Sequence, residues 1–142
     1  MSTARQIDEA YVKTGQVRIV SKNLAVHGEQ SVKLAEAVLC AGDQGKFWDY
    51  ADGLWEDDYT GRLTAVDPAA LKARASDLKL DAASFGACLD SGKYTQRVQQ
   101  EGEEAQAKGV TGTPTFFVND VKIVGAQPFA VFKQAIDNAL KQ

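Results

Sequence analysis

The most constraining feature of the sequence is a change of hydrophobic period near residue 110. Before this point apolar residues recur at helical spacing, most strongly at Phe47, Tyr50, Ala51, Leu54 and Trp55. After it, 115–118 and 121–124 are short β-branched and aromatic runs, and Asn119-Asp120 between them has the composition of a two-residue hairpin turn. A final amphipathic helix begins at Pro128. Helices followed by a hairpin and a helix predict an α+β fold.

The remaining elements are predicted from caps and apolar spacing. We expect a short helix from Ser2 or Thr3 to Gly15, and a strand over Val17–Val20. Further helices are expected to begin at Ser31, Phe47, Asp67-Pro68, Asp81 and Lys93. No repeat or linker interrupts this order. We therefore predict a single domain over residues 1–142, with a helical insertion from about residue 30 to residue 108.

Composition excludes several classes of protein. Hydrophobic residues make up 44% and charged residues 25% of the 142 residues, which is the balance of an ordinary globular domain. No run of 18 apolar residues is present, so a membrane span is not expected. The formal net charge of -3 disfavours binding to a phosphate backbone, so no nucleic-acid partner is predicted.

Candidate metal and catalytic residues are few. Two cysteines, Cys40 and Cys88, and one histidine, His27, cannot supply a four-ligand zinc site. His27 has no nucleophile motif beside it, so we interpret it as a residue at the approach to a helix or on the surface. A run of acidic residues could attract Ca²⁺, but it lacks the loop spacing of an EF-hand and is interpreted as a solvated helix end. It consists of Asp49, Asp52, Glu56, Asp57 and Asp58. No phosphate loop or dinucleotide motif is present, and no cofactor or metal is predicted.

Four aromatic residues near the start of the strongest helix admit two interpretations. They could line a groove for peptide, but at helical spacing most of them are expected in the core: Phe47, Trp48, Tyr50, Trp55.

A family resemblance is carried by GVTGTPTFFVNDVKIVGAQPFAVFKQAIDNAL at 109–140, YVKTGQVRIV at 11–20, AEAVLCAGDQGKFWDYADGLW at 35–55 and FGACLDSGKY at 85–94. In this order they resemble DsbA-like thioredoxin-fold thiol-disulfide oxidoreductases. The resemblance implies that Thr113-Pro114 is a cis peptide that binds an extended peptide or protein substrate. Without the resemblance, a trans proline at the start of a strand would be the simpler interpretation.

The redox motif of that family is missing from this sequence. In the family a Cys-x-x-Cys pair begins the helix that precedes YVKTG, whereas this chain contains no such pair, so no catalytic residue is predicted. The resemblance also implies that the central strand of the sheet, between 17–20 and 115–118, is absent. The chain is then either a truncated, inactive oxidoreductase or a natural short form without redox chemistry. The two strands would pair directly or recruit another copy, and we expect a homodimer through exposed sheet edges.

The roles of Cys40 and Cys88 stay open between a structural disulfide, two buried thiols and a catalytic pair. The alternative function is a non-catalytic peptide- or protein-binding module, and a folded remnant without activity is a third possibility. The resemblance implies a periplasmic or other extracytoplasmic location. The first twenty residues, however, show no apolar segment of a signal peptide, so the compartment is not predicted.

Overall fold

The computed structural model describes residues 2–64 and 66–141. Their elements, in chain order, are α1 (Thr3–Ile7), a π-helical segment (Asp8–Val12), α2 (Glu29–Gly42), α3 (Phe47–Tyr59), α4 (Pro68–Asp77), α5 (Ala82–Asp90), α6 (Thr95–Ala107), β1 (Thr115–Val118), β2 (Val121–Val124) and α7 (Phe129–Ala139). The predicted α+β class is confirmed.

Side-chain caps explain where several helices begin. The Asp67 carboxylate accepts the backbone N–H of Ala70 at 2.9 Å, and the Asp81 carboxylate accepts that of Ser84 at 2.7 Å. Each satisfies a donor that a first helical turn leaves without a partner. These predicted starts are confirmed. The expected cap at Ser31 is wrong, because α2 already begins at Glu29, after Gly28.

The first predicted helix forms, but its second half is wider than an α-helix. Regular α-helix ends at Ile7, and Asp8–Val12 continue as π-helix. Gly15 then has a φ of 76°, a left-handed conformation that glycine adopts without steric cost.

The hairpin lies where the change of period predicted it. β1 and β2 are antiparallel and pair Thr115 with Val124 at one end and Val118 with Val121 at the other. Asn119 in the turn has a φ of 50°, which asparagine tolerates better than most residues.

The predicted strand over Val17–Val20 is wrong. These residues have no strand assignment, and the sheet of the described chain contains β1 and β2 alone. Ile19 and Val20 are 43% and 59% exposed. An alternating β-branched pattern favours extended backbone, but a strand also needs a neighbour to accept its ladder hydrogen bonds. Direct pairing of this segment with β1, one of the two expected outcomes, does not occur.

The described chain divides into two compact units. The first combines the chain up to Lys22 with the chain from Ala105 onward. Its core consists of four buried residues: Tyr11, Ile123, Phe132, Ile136. The Tyr11 hydroxyl donates to an Asp137 carboxylate oxygen at 2.6 Å, so the π-helical segment is joined to α7 by a hydrogen bond as well as by apolar packing.

The second unit, Asn23–Glu104, contains the larger core. Tyr50 is fully buried, packs its ring beside Phe85 and donates its hydroxyl to the Leu71 carbonyl at 2.9 Å. Burial raises the pKa of its phenol. The expectation that most of the aromatic residues of α3 lie in the core is wrong for the tryptophans. Trp48 is 50% exposed and Trp55 is 73% exposed.

No helix among residues 2–64 and 66–141 has both the length and the apolar character needed to cross a bilayer.

Removing the buried hydroxyl of Tyr50 is expected to destabilise the protein. Tyr50→Phe keeps the ring but leaves the Leu71 carbonyl without this donor, so we expect the free energy of unfolding to fall by about 1–2 kcal/mol. Tyr59→Phe is the matched control, because Tyr59 is 93% exposed. Urea unfolding followed by circular dichroism measures both. Equal stabilities of the two variants would contradict this role of Tyr50.

Candidate functional site

The predicted substrate-binding residues lie in a loop between α6 and β1. Gly109 has a φ of 66°, and Val110 N–H donates to the Ala105 carbonyl at 2.9 Å, which ends the helix and turns the chain toward the hairpin. The Lys122 ammonium, from β2, donates to the Gly109 carbonyl. The start of the loop is therefore fixed to β2, the second strand of the hairpin.

Thr113 and Pro114 lie next to each other on the surface of this loop, and the peptide bond between them is cis. Hydrogen bonds hold Pro114 itself and the two residues that flank the Thr113-Pro114 pair. Gly125 N–H donates to the Pro114 carbonyl at 2.8 Å, and the Thr115 hydroxyl donates to the Gly112 carbonyl at 2.7 Å. Within the described part of the chain, the backbone N–H and C=O of Thr113 form no hydrogen bond. The loop thus presents one backbone donor and one backbone acceptor to a ligand.

Strand β1 continues from this loop with one edge open. It pairs with β2 on one side, and the described residues provide no strand on its other side. Phe116 and Phe117 are each about 40% exposed. Phe116 packs edge-on against Phe132, with ring centroids 4.9 Å apart. The centre of the Phe117 ring lies 5.6 Å from the Lys108 ammonium. Backbone groups and apolar side chains together are what an added extended chain requires.

Cys40 and Cys88 are joined by a disulfide in the second unit. Of the three roles left open by the sequence, the structure contains the bridge. It connects α2 to α5 and closes a loop over a sequence separation of 48. Cys40 is 1% exposed, and Cys88 is half-buried.

The surroundings of Cys88 do not favour a thiolate. Its Sγ lies 3.8 Å from a carboxylate oxygen of Asp43. Burial would raise the pKa of Asp43, but hydrogen bonds from Lys93 and Tyr94 outweigh it and hold that pKa below its usual value. Asp43 therefore stays ionised and would repel a thiolate. The Lys93 ammonium, 2.6 Å from the Asp43 carboxylate, partly offsets this repulsion. Neither cysteine lies at a helix N-terminus, where thiolates are stabilised.

The other candidates do not form a site. His27 is exposed, and the described residues contain no group of three or more His, Cys, Asp or Glu placed to hold a metal. In the acidic run, Asp57 forms ion pairs with Arg62 and Arg74.

Sequence analysis did not identify two carboxylates that are buried in the described part of the chain. Glu36 is 1% exposed and accepts hydrogen bonds from Thr95 and, at 2.7 Å, from Lys33. Glu101 is 4% exposed and accepts both the backbone and the side-chain N–H of Asn23. Glu36 follows Val32 by four residues on the apolar stripe of α2, a spacing that could have indicated its burial. Both carboxylates have hydrogen-bond partners, which compensate the cost of their burial.

Comparison with known proteins identifies the family. A family model described as Thioredoxin matches residues 2–138. The chain belongs to the thioredoxin family. Its fold is DsbA-like: the oxidised crystal structure of BdbD from Bacillus subtilis superposes with a TM-score of 0.85 at 24% sequence identity, over 97% of this chain and 76% of that one.

Two curated relatives extend the comparison. The chain is 26% identical over 139 residues to Disulfide bond formation protein D of Bacillus subtilis (strain 168), which is 96% of this chain and 63% of that protein. It is 35% identical over 105 residues to Na(+)/H(+) antiporter NhaA 1 of Salinispora arenicola (strain CNS-205), which is 74% of this chain and 15% of the antiporter. The thioredoxin-family chain thus spans less than two thirds of either relative.

Reducing the Cys40–Cys88 bridge is expected to destabilise the protein. A loop of 48 residues gives about 4 kcal/mol of stabilisation from the lost entropy of the unfolded chain. We expect dithiothreitol to lower the Tm of the native protein. The double variant Cys40→Ala/Cys88→Ala should melt at the lower temperature with or without reductant.

Alkylation followed by mass spectrometry checks that the bridge is present in solution. No alkyl group should be added before reduction and two should be added after it. Two added groups without reduction would contradict the bridge.

Proposed function

We propose that this thioredoxin-family chain is the substrate-binding part of a DsbA-type thiol-disulfide oxidoreductase, and that its 142 residues do not exchange disulfides by themselves. The relative named Disulfide bond formation protein D suggests the substrate class, which is proteins that acquire disulfides. On this proposal, residues outside this chain supply the redox dithiol.

The observation that carries the proposal is the exposed Thr113-Pro114 loop with its free backbone groups. An extended protein segment lying along the loop could donate a hydrogen bond to the Thr113 carbonyl and accept one from the Thr113 N–H. Phe117 and the open edge of β1 would provide apolar contact beyond this pair.

The chemistry explains why these residues alone would be inactive. To form a disulfide, two substrate thiols lose two protons and two electrons, and an enzyme disulfide accepts them and becomes a dithiol. The Cys40–Cys88 disulfide could take this role only if a substrate thiolate reached one of its sulfurs, but Cys40 is 1% exposed and the Asp43 carboxylate, 3.8 Å from Cys88 Sγ, would repel that thiolate. We therefore assign Cys40–Cys88 a structural role.

A second candidate function is a peptide- or protein-binding module without redox chemistry. Two observations favour it: the backbone N–H and C=O of Thr113 are free to bind a ligand, and the sequence contains no Cys-x-x-Cys motif. The two candidates differ in whether the loop acts together with a dithiol.

Insulin reduction tests the proposed oxidoreductase function. The 142-residue chain is expected to give the same rate of turbidity increase as dithiothreitol alone. A fusion that places a strand and a Cys-x-x-Cys helix before this chain should accelerate it. Activity of the chain itself that Cys88→Ser abolishes would contradict the structural role of the bridge, and an inactive but folded fusion would favour the binding module.

Thr113→Pro tests the role of the loop, and Thr111→Pro is its control. Thr113→Pro removes the Thr113 N–H while Cys40–Cys88 stays intact, so we expect the fusion to lose about tenfold in rate, as one buried hydrogen bond would predict. Exposed Thr111→Pro, two residues earlier, should lose less. Equal losses would indicate a general effect on the loop.

We further propose that the chain forms a homodimer through its sheet edges. Val121 and Val124 of β2 are 52% and 55% exposed, and a groove of about 630 Å³ runs beside this strand and α7. An open strand with exposed apolar side chains readily pairs with a second copy.

Light scattering coupled to size-exclusion chromatography tests the dimer. The native chain should elute as a dimer, and Val124→Lys should shift it toward monomer because a lysine on an edge strand opposes pairing. Val26→Lys is the matched control, since Val26 is 54% exposed and lies in the other unit. A native monomer at every concentration would contradict the proposal.

A further inference from the structure

The outer face of α3 carries an exposed row of aromatic side chains. Trp48, Trp55 and Tyr59 are separated by seven and four residues, so they lie on one side of the helix. They are 50%, 73% and 93% exposed. The opposite side of α3 supplies Tyr50 and Leu54 to the core. The exposed row is therefore not needed to fill the core of this unit.

Carboxylates lie within and beside this row. Asp52 follows Trp48 by four residues and precedes Trp55 by three, which places it in the same row. Asp49 pairs with Lys46 at 2.7 Å and Glu56 with Arg62 at 3.4 Å. By contrast, the described chain offers no ion-pair partner to Asp52 or Asp58. The row thus combines large aromatic rings with negative charge that the protein does not neutralise.

We propose that the α3 face, defined as Trp48, Asp52, Trp55 and Tyr59, is a docking surface for an arginine- or lysine-containing segment of a partner protein. Aromatic ring faces attract guanidinium and ammonium groups, and a neighbouring carboxylate adds a charge-assisted hydrogen bond. The row is roughly 16 Å long by the helical rise, which matches about five residues of an extended chain. Contiguous exposed aromatic side chains on a globular protein commonly mark such interaction sites.

Charge decides between this occupant and two others. A second copy of the chain would bring the same carboxylates together, and each copy already has a net charge of -3. An anionic membrane surface attracts basic rather than acidic aromatic helices. A basic protein segment is complementary both to the rings and to Asp52. This surface does not depend on the proposed redox function, so the test uses peptides without cysteine.

Tryptophan fluorescence reports this face directly, because both tryptophans of the chain lie on it. The probe is a synthetic peptide of alternating arginine and serine. The control peptide carries neutral citrulline in place of arginine. We expect the arginine peptide to lower acrylamide quenching of the tryptophan emission, and the citrulline peptide to leave it unchanged. Calorimetry of the same mixtures gives the Kd.

Three variants locate the binding. Trp55→Ala is expected to raise the Kd of the arginine peptide about tenfold, which is typical of losing an aromatic side chain that anchors a ligand. Asp52→Asn should weaken it about threefold, which is typical of an exposed ion pair. Glu103→Gln removes an exposed charge on α6 and should leave the Kd unchanged. All three positions are exposed, and circular dichroism verifies that each variant folds.

The proposal is overturned by any of three results. Equal weakening by Asp52→Asn and Glu103→Gln would show that only net charge matters. Unchanged affinity of Trp55→Ala would exclude the aromatic row. Protection of the tryptophans by phosphatidylserine vesicles, or by raising the protein concentration alone, would assign the face to a membrane or to a second copy instead.

Discussion

A strand in a two-stranded sheet finds hydrogen-bond partners on one side only, and this constraint decides what the first unit can do. β1 and β2 satisfy each other along their shared ladder, while α7 and the π-helical segment cover one face through Tyr11, Phe132 and Ile136. Backbone groups on the outer edges find no ladder partner among the described residues. The Thr113-Pro114 loop leads directly into β1, so the candidate binding groups lie beside an open strand edge.

Much of the fold was predictable because its signals are local. The caps at Asp67 and Asp81 act within three residues, and the hairpin turn at Asn119 is specified by its own sequence. The resemblance located the Thr113-Pro114 loop, because its motif is contiguous along the chain. Composition and spacing alone were sufficient for the α+β class.

Features that depend on distant partners were not predictable in this way. Val17–Val20 has the pattern of a strand but no neighbouring strand, so propensity alone gave the wrong result. The helical spacing of α3 identified Tyr50, yet it could not tell which side of the helix would face solvent, and Trp48 and Trp55 lie outside. The pairing of Cys40 with Cys88 depends on how α2 and α5 meet, which no local pattern encodes.

The bridge between α2 and α5 encloses α3 and α4 in a covalent ring. The connection between those two helices exposes Arg62, a residue that trypsin-like proteases recognise. Cleavage there would open the ring without releasing a fragment, because the two halves would remain attached through sulfur. A nicked molecule would then migrate at full mass on a non-reducing gel and separate into two bands only when reductant is added.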